Sequence, residues 1–174
     1  MGRKRDDDDH RARHEDIEPR ADHRPQPRGR RRALPQRKGV DKAIALYAPT
    51  ISWEAPNRGL VYTDPAEVKE AYLAIFRTLS FNSMTALRRF AAGDLVFDDA
   101  VCDVTVIGDE MPNMPFPIGT RVSLRLVHCF ELADGLITKE IAYEMWREKG
   151  GPLDLDAIPE GSVVDVFPVG EEVR

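Results

Sequence analysis

Three side chains in the second half of the chain could carry out acid–base chemistry together. His128 is the only histidine after residue 38, and an imidazole changes charge near neutral pH. Glu140 and Glu144 lie four residues apart, so a strand would place both carboxylates on one face. A carboxylate near a histidine can orient the ring while the ring moves a proton. We take all three as candidate catalytic residues; the alternative for His128 is a hydrogen-bonded core residue.

Two predicted strands must position these groups. Residues 121–132 alternate, and His128 shares its face with apolar residues at every second position. Asp134 and Gly135 favour a hairpin turn, after which residues 137–146 form the last strand. A one-residue change of register would turn every side chain of that strand to the opposite face. The length of the turn therefore decides where the glutamates lie.

Two registers remain open. A two-residue turn pairs His128 with Ile141 and directs both glutamates away from the histidine. A three-residue loop that begins at Ala133 pairs His128 with Glu140 and turns both glutamates inward. The apolar pattern of residues 137–145 favours the first register.

The remaining elements indicate an α+β fold. A helical pattern over residues 40–48 stops at Pro49, and a short strand follows at 51–54. Pro65 sits at a typical helix start, and the second helix runs to about Ser80. Strands at 84–92 and 95–108 precede the hairpin. This order predicts a cone-shaped, curved antiparallel sheet packed on helices, with one end open as a pocket.

The pattern also supplies candidate ligand-binding residues. They are large side chains on the predicted inner faces: Trp53, Tyr72, Phe76, Leu126 and Tyr143. Packing in the core is the alternative for Trp53, Tyr72 and Phe76. A pocket lined in this way predicts a small, mostly apolar ligand.

Composition divides the 174 residues into three parts. Residues 1–38 carry a net charge of +5 with only three large apolar residues, which predicts a disordered charged segment. Residues 39–149 form the α+β domain. Residues 150–174 are interpreted as an acidic C-terminal tail. The chain as a whole has a net charge of −5.

Several classes of function are excluded by what the sequence lacks. No apolar run reaches eighteen residues, so no membrane span is predicted. Cys102 and Cys129 are predicted to be free thiols, and no Cys/His spacing or nucleotide motif implies a metal or cofactor. No aromatic residues interleave the arginines of residues 28–32, so no nucleic-acid partner is expected. We expect a soluble, cytoplasmic protein.

The element order and four stretches of sequence resemble the SnoaL-like branch of the nuclear-transport-factor-2-like superfamily. The stretches are residues 41–48, 51–56, 119–122 and 127–137. The resemblance implies a cone-shaped pocket and a homodimer. Members of the superfamily include ketosteroid isomerases, polyketide cyclases, epoxide hydrolases and many pockets with no chemistry, so the resemblance leaves the function open.

Catalytic positions of these enzymes carry over unevenly. The position of the isomerases' proton-abstracting aspartate holds Ala55, and the acid–base aspartate of the cyclases and epoxide hydrolases falls on Ala142. An alanine cannot move a proton. The isomerases' oxyanion-stabilising acid and a pocket histidine of the cyclases both fall on His128. In addition, residues 1–38 lack the pattern of the long amphipathic helix that opens the family fold.

Two hypotheses follow. The first is a cofactor-independent isomerase or cyclase that acts on a small apolar carbonyl or hydroxyl compound through His128, assisted by Glu140 or Glu144. The second is a non-catalytic ligand-binding or dimerisation module, which the alanines at positions 55 and 142 favour; a truncated or inactive product is the remaining alternative.

Overall fold

Seven strands form one mixed sheet in the computed structural model, which describes residues 37–167. Helix α1 spans Arg37–Ile44 and helix α2 spans Pro65–Thr78. The strands are β1 (Tyr47–Ala55), β2 (Leu60–Tyr62), β3 (Leu79–Ala92), β4 (Leu95–Val106), β5 (Arg121–Ala133), β6 (Leu136–Glu148) and β7 (Val164–Val166). Their order across the sheet is β2-β1-β6-β5-β4-β3-β7.

The predicted α+β class, with a curved sheet packed on helices, is confirmed. The four long strands β3–β6 pair antiparallel as predicted, and the sheet as a whole is mixed because β1 pairs with β6 in parallel. The first helix is also shorter than predicted. It ends at Ile44, and β1 begins at Tyr47 and runs through Pro49. Proline is tolerated there because the β1–β6 register is irregular between Tyr47 and Ser52.

Helix α2 begins where its sequence predicts. The Asp64 carboxylate accepts a hydrogen bond of 2.8 Å from the backbone N–H of Ala66, and Pro65 occupies the first turn. The helix packs on one face of the sheet, where buried Val68 meets Trp53 and Ile75 meets the cluster around Val104. We call this side the inner face; on β5 it carries Val122, Leu124, Leu126, His128 and Phe130. The opposite side is the outer face.

The β5–β6 hairpin realises neither predicted register. Its turn has two residues, Asp134 and Gly135, both with positive φ. A β-bulge at Thr138 then shifts the pairing by one residue. His128 is therefore opposite Ala142, and Glu140 and Glu144 lie on the inner face. The two predicted registers make a two-residue turn and inward-facing glutamates mutually exclusive. In the structure the bulge allows both to occur together.

Residues beyond β6 continue along the sheet. Asp156 accepts hydrogen bonds from Arg125 and Arg147 on the outer face. Strand β7 pairs with β3, and Phe167 is buried. Of the segment predicted to be disordered, residues 1–36 lie outside the described residues, and Arg37 and Lys38 open α1.

Both cysteines are free, as predicted. Cys102 is opposite Leu124 on the inner face, whereas Cys129 is opposite Ile141 on the outer face. The sheet itself separates the two thiols. Burial raises the pKa of the Cys102 thiol to about 12, with a further contribution from the charge of Asp98.

We expect the burial of Cys102 to make its thiol much less reactive than the thiol of the half-buried Cys129. At pH 8 a thiol with a pKa of about 12 is roughly 0.01% thiolate, so Cys102 should react with a disulfide reagent only when the fold opens. The measurement compares native and denatured protein in two single-thiol variants, Cys129→Ser and Cys102→Ser. Rapid labelling of native Cys129→Ser protein would contradict the burial of Cys102.

Candidate active site

Glu140 is a carboxylate with no solvent exposure at the centre of the inner face. The Tyr72 hydroxyl donates to its two oxygens at 2.9 and 3.1 Å, and the Tyr47 hydroxyl donates to Oε2. Burial and the neighbouring negative charge of Glu140 raise the pKa of both phenols. Both tyrosines therefore stay neutral, and they supply hydrogen bonds without supplying a positive charge.

His128 reaches the same carboxylate from β5. Its Nε2 lies 3.6 Å from Oε1 of Glu140, which is within ion-pair range but longer than a direct hydrogen bond. The imidazole stacks on Phe130 with ring centroids 5.5 Å apart, and 21% of the side chain is exposed. The site thus joins a fully buried carboxylate to an imidazole that solvent and a ligand can reach.

Glu144 lies on the same face in a different environment. Arg58 donates to it through Nε at 2.7 Å and Nη2 at 3.0 Å, and the Trp146 indole N–H donates at 3.1 Å. Both charged side chains are almost completely buried. Loop residues hold the arginine, since Asn113 donates to the backbone oxygen of Arg58 and Arg58 donates to that of Pro112. With these partners in place, Glu144 forms a structural ion pair with Arg58, and the predicted catalytic role does not fit it.

The other predicted ligand-binding residues divide between the site and its surroundings. Trp53 is opposite Glu140 in the sheet and packs edge-on against Tyr72, with ring centroids 6.4 Å apart. Its buried indole N–H has no hydrogen-bond partner among the described residues. Leu126 is on the inner face opposite Glu144.

Phe76 and Tyr143 lie apart from this cluster. Phe76 packs against Phe81 at 6.1 Å, under β3. Tyr143 is on the outer face and 43% exposed. The structure therefore brings together His128, Glu140, Tyr72 and Trp53.

Sequence reasoning missed two residues of the site. Tyr47 falls at the end of the predicted helix, whereas in the structure it is the first residue of β1. Arg58 lies in the turn at Pro56–Arg58, where a charged residue is expected to be solvated. Nothing in the local sequence marks Arg58 as buried, because its partner Glu144 is 86 residues away along the chain.

Neither a metal centre nor a membrane span is found in the part of the chain that the structure describes. No three His, Cys, Asp or Glu side chains of residues 37–167 are arranged to hold a metal ion. Neither helix there is long and apolar enough to cross a membrane.

The inner face of the curved sheet thus carries His128 beside a buried carboxylate that two tyrosines hold. Residues 32–140 match the SnoaL-like domain family, and the chain belongs to that family. No functionally curated protein matches the chain.

Three solved structures illustrate the likeness of the fold. A proposed polyketide cyclase from Silicibacter sp. TM1040 is 17% identical, over 62% of this chain and 77% of that chain, with a TM-score of 0.51. A proposed isomerase from Rhodopseudomonas palustris is 11% identical over 63% and 78%, with a TM-score of 0.51. An LEH-like epoxide hydrolase from Mycobacterium tuberculosis is 18% identical over 63% and 73%, with a TM-score of 0.46. At these identities the likeness is one of fold.

We expect the buried Arg58–Glu144 ion pair to make a large contribution to the free energy of unfolding. Arg58→Met leaves a buried carboxylate without its cation and should lower the free energy of unfolding by about 3–5 kcal/mol. Lys69→Met is the matched control, because it removes the cation of the exposed Lys69–Asp41 pair, which solvent screens, and should leave the stability nearly unchanged. Urea unfolding measures both. Equal effects of the two substitutions would contradict the assignment.

Proposed function

We propose that the protein is a cofactor-independent isomerase or cyclase of the SnoaL-like family, acting by acid–base chemistry at His128. The observation that carries this proposal is the distance of 3.6 Å between Nε2 of the partly exposed His128 imidazole and Oε1 of the buried Glu140 carboxylate. In this arrangement His128 takes a proton from a carbon next to a carbonyl and returns it elsewhere on the same molecule. Glu140 is the positioning residue, because it holds the ring and stabilises the imidazolium that forms.

The neighbouring groups favour a small, mostly apolar substrate. Phe130 and Leu126 flank His128 on the inner face and offer apolar surface to a ligand. Tyr47 and Tyr72 keep Glu140 in place through neutral hydrogen bonds, so that its charge remains available to the imidazole.

The test is hydrogen–deuterium exchange catalysed on enolisable ketones. In D2O, wild-type protein should accelerate exchange next to the carbonyl of cyclohex-3-enone or a related β,γ-unsaturated ketone, as followed by proton NMR. His128→Gln should lower the rate by about 10²–10⁴-fold, the usual contribution of a general base. Glu54→Gln is the control, since Glu54 is on the outer side of β1 and pairs with Lys139. Exchange that survives in His128→Gln would refute the assignment of the base.

A non-catalytic ligand-binding module is the second candidate. It is favoured by Ala55 and Ala142, which stand at the two positions where the family's enzymes are expected to carry catalytic carboxylates, and by the complete neutralisation of Glu144. Under this function the ketones bind, and shift the resonances of inner-face residues, without any exchange above that in buffer.

We also propose a cytoplasmic homodimer formed through the outer face. Val127 and Tyr143 are opposite each other there, next to Cys129 and Ile141, and Tyr143 and Met145 are exposed. A contiguous exposed apolar patch on adjacent strands is typical of a subunit interface. The two unpaired thiols fit a reducing compartment.

The dimer is tested by light scattering after chromatography. Tyr143→Glu places a charge in the patch and should convert a dimer of the full chain to a monomer. Ile118→Glu, at an exposed apolar position of the loop between β4 and β5, should leave the dimer intact. A wild-type monomer at micromolar concentration would overturn the proposal.

A further inference from the structure

The segment that follows β6 crosses the outer face with its acidic side chains towards the sheet and its leucines towards solvent. We call residues 151–158 the strap. The side chains of Asp154 and Asp156 are largely buried. Leu153 and Leu155 alternate with them and are 74% and 80% exposed. This arrangement is the reverse of the usual one, in which large apolar side chains are withdrawn from water and acids are solvated.

Ion pairs with the sheet hold the strap in this orientation. One oxygen of Asp156 accepts a hydrogen bond of 3.0 Å from Arg125 on β5, and the other accepts one from Arg147 on β6. Arg147 also donates to the backbone oxygens of Leu153 and Leu155. Because neighbouring side chains of this extended segment alternate in direction, the bound acid turns the two leucines outward.

The strap leucines extend the apolar patch of the outer face. Arg147, which binds the strap, is two residues after Met145 on β6, so the two side chains share a face. Met145 and Tyr143 are both exposed there. Monomeric proteins rarely expose contiguous apolar patches of more than a few hundred Å². The combined patch is therefore typical of a surface that another molecule covers.

Charge and symmetry favour a second copy of the chain as that molecule. The acids beneath the strap are paired within the subunit, since Asp156 binds both Arg125 and Arg147. Asp99 binds Arg125 at 2.8 Å. Two copies can therefore meet here without bringing these acids together unpaired, although the chain has a net charge of −5. A two-fold interface also requires one patch that is complementary to itself, as an apolar patch is. An anionic membrane would repel the same net charge.

We propose that the strap is part of the subunit interface, in which Leu153 and Leu155 pack against the outer face of a second copy. Asp156 is a positioning residue, because it holds the leucines towards the partner. A standard interface buries about 800 Å² per partner. Tyr143 and Met145, each less than half exposed, are too small to supply this area alone. The inference rests on the homodimer proposed above and names the segment that completes its interface.

The test measures the dissociation constant of the dimer of the full chain by sedimentation equilibrium. A variant with both Leu153→Ser and Leu155→Ser should raise this constant at least about 100-fold, because four leucines leave each interface. Both positions are exposed in the subunit, so its fold should be unaffected.

Two further variants control for the loss of apolar surface in general. Ile107→Ser with Ile118→Ser removes two exposed apolar side chains between β4 and β5, and should change the constant by less than about twofold. Leu153→Met with Leu155→Met keeps the strap apolar and should stay within about fivefold of wild type.

Three results would overturn the inference while leaving the dimer in place. They are an unchanged constant in the leucine-to-serine variant, an equal loss in the isoleucine variant, and an equal loss in the methionine variant. If Tyr143→Glu then still gives a monomer, the outer-face dimer stands without the strap.

A wild-type monomer would overturn the dimer and the inference together. Binding of that monomer to vesicles of phosphatidylcholine and phosphatidylglycerol, lost in the leucine-to-serine variant, would assign the strap to a membrane surface instead. The proposed chemistry at His128 fails separately, since deuterium exchange on ketones tests it without reference to the strap.

Discussion

The burial of the Glu140 carboxylate is the constraint on which the inner face depends. An ionised carboxylate withdrawn from water is strongly destabilising unless donors surround it. Here the donors come from separate elements: Tyr47 opens β1 and Tyr72 lies in the second turn of α2. Hydrogen bonds to this carboxylate thereby connect α2 and β1 to the β5–β6 hairpin. The same contacts that hold α2 against the sheet also fix the group that faces His128.

Two carboxylates on one strand have opposite roles because their donors differ in charge. Glu144 receives a guanidinium, so its charge is cancelled within the fold and nothing remains for a ligand. Glu140 receives only neutral hydroxyl groups, which satisfy its oxygens without bringing an opposite charge next to them. The adjacent imidazole is then the one cationic partner in contact with this carboxylate among the described residues. The distinction depends on Arg58, which approaches from the turn after β1 and reaches only one of the two carboxylates.

Local signals in the sequence were sufficient for the start of α2, for the β5–β6 turn and for the face of His128. The cap at Asp64, the alternation along β5 and the turn at Asp134 each act over a few residues, and all three appear in the structure. The orientation of Glu140 was not predictable, because it depends on one extra residue, Thr138, that bulges from β6. The parallel pairing of β1 with β6 joins residues about ninety positions apart, and it turns Tyr47 from an apparent helix residue into a partner of Glu140. Such contacts are set by tertiary packing, which a local pattern does not contain.

The alanines at positions 55 and 142 limit the chemistry that the proposed function can include. Ala142 is directly opposite His128, so the nearest position on β6 offers no second acid or base. Hydrolysis needs one group to activate water and another to protonate the leaving group. Proton transfer within one substrate needs only one group, which takes the proton and then returns it. A single imidazole beside a fixed carboxylate meets that requirement. The proposed isomerisation, or ring closure through an enol, therefore asks less of this inner face than a reaction that needs two separate acid–base groups.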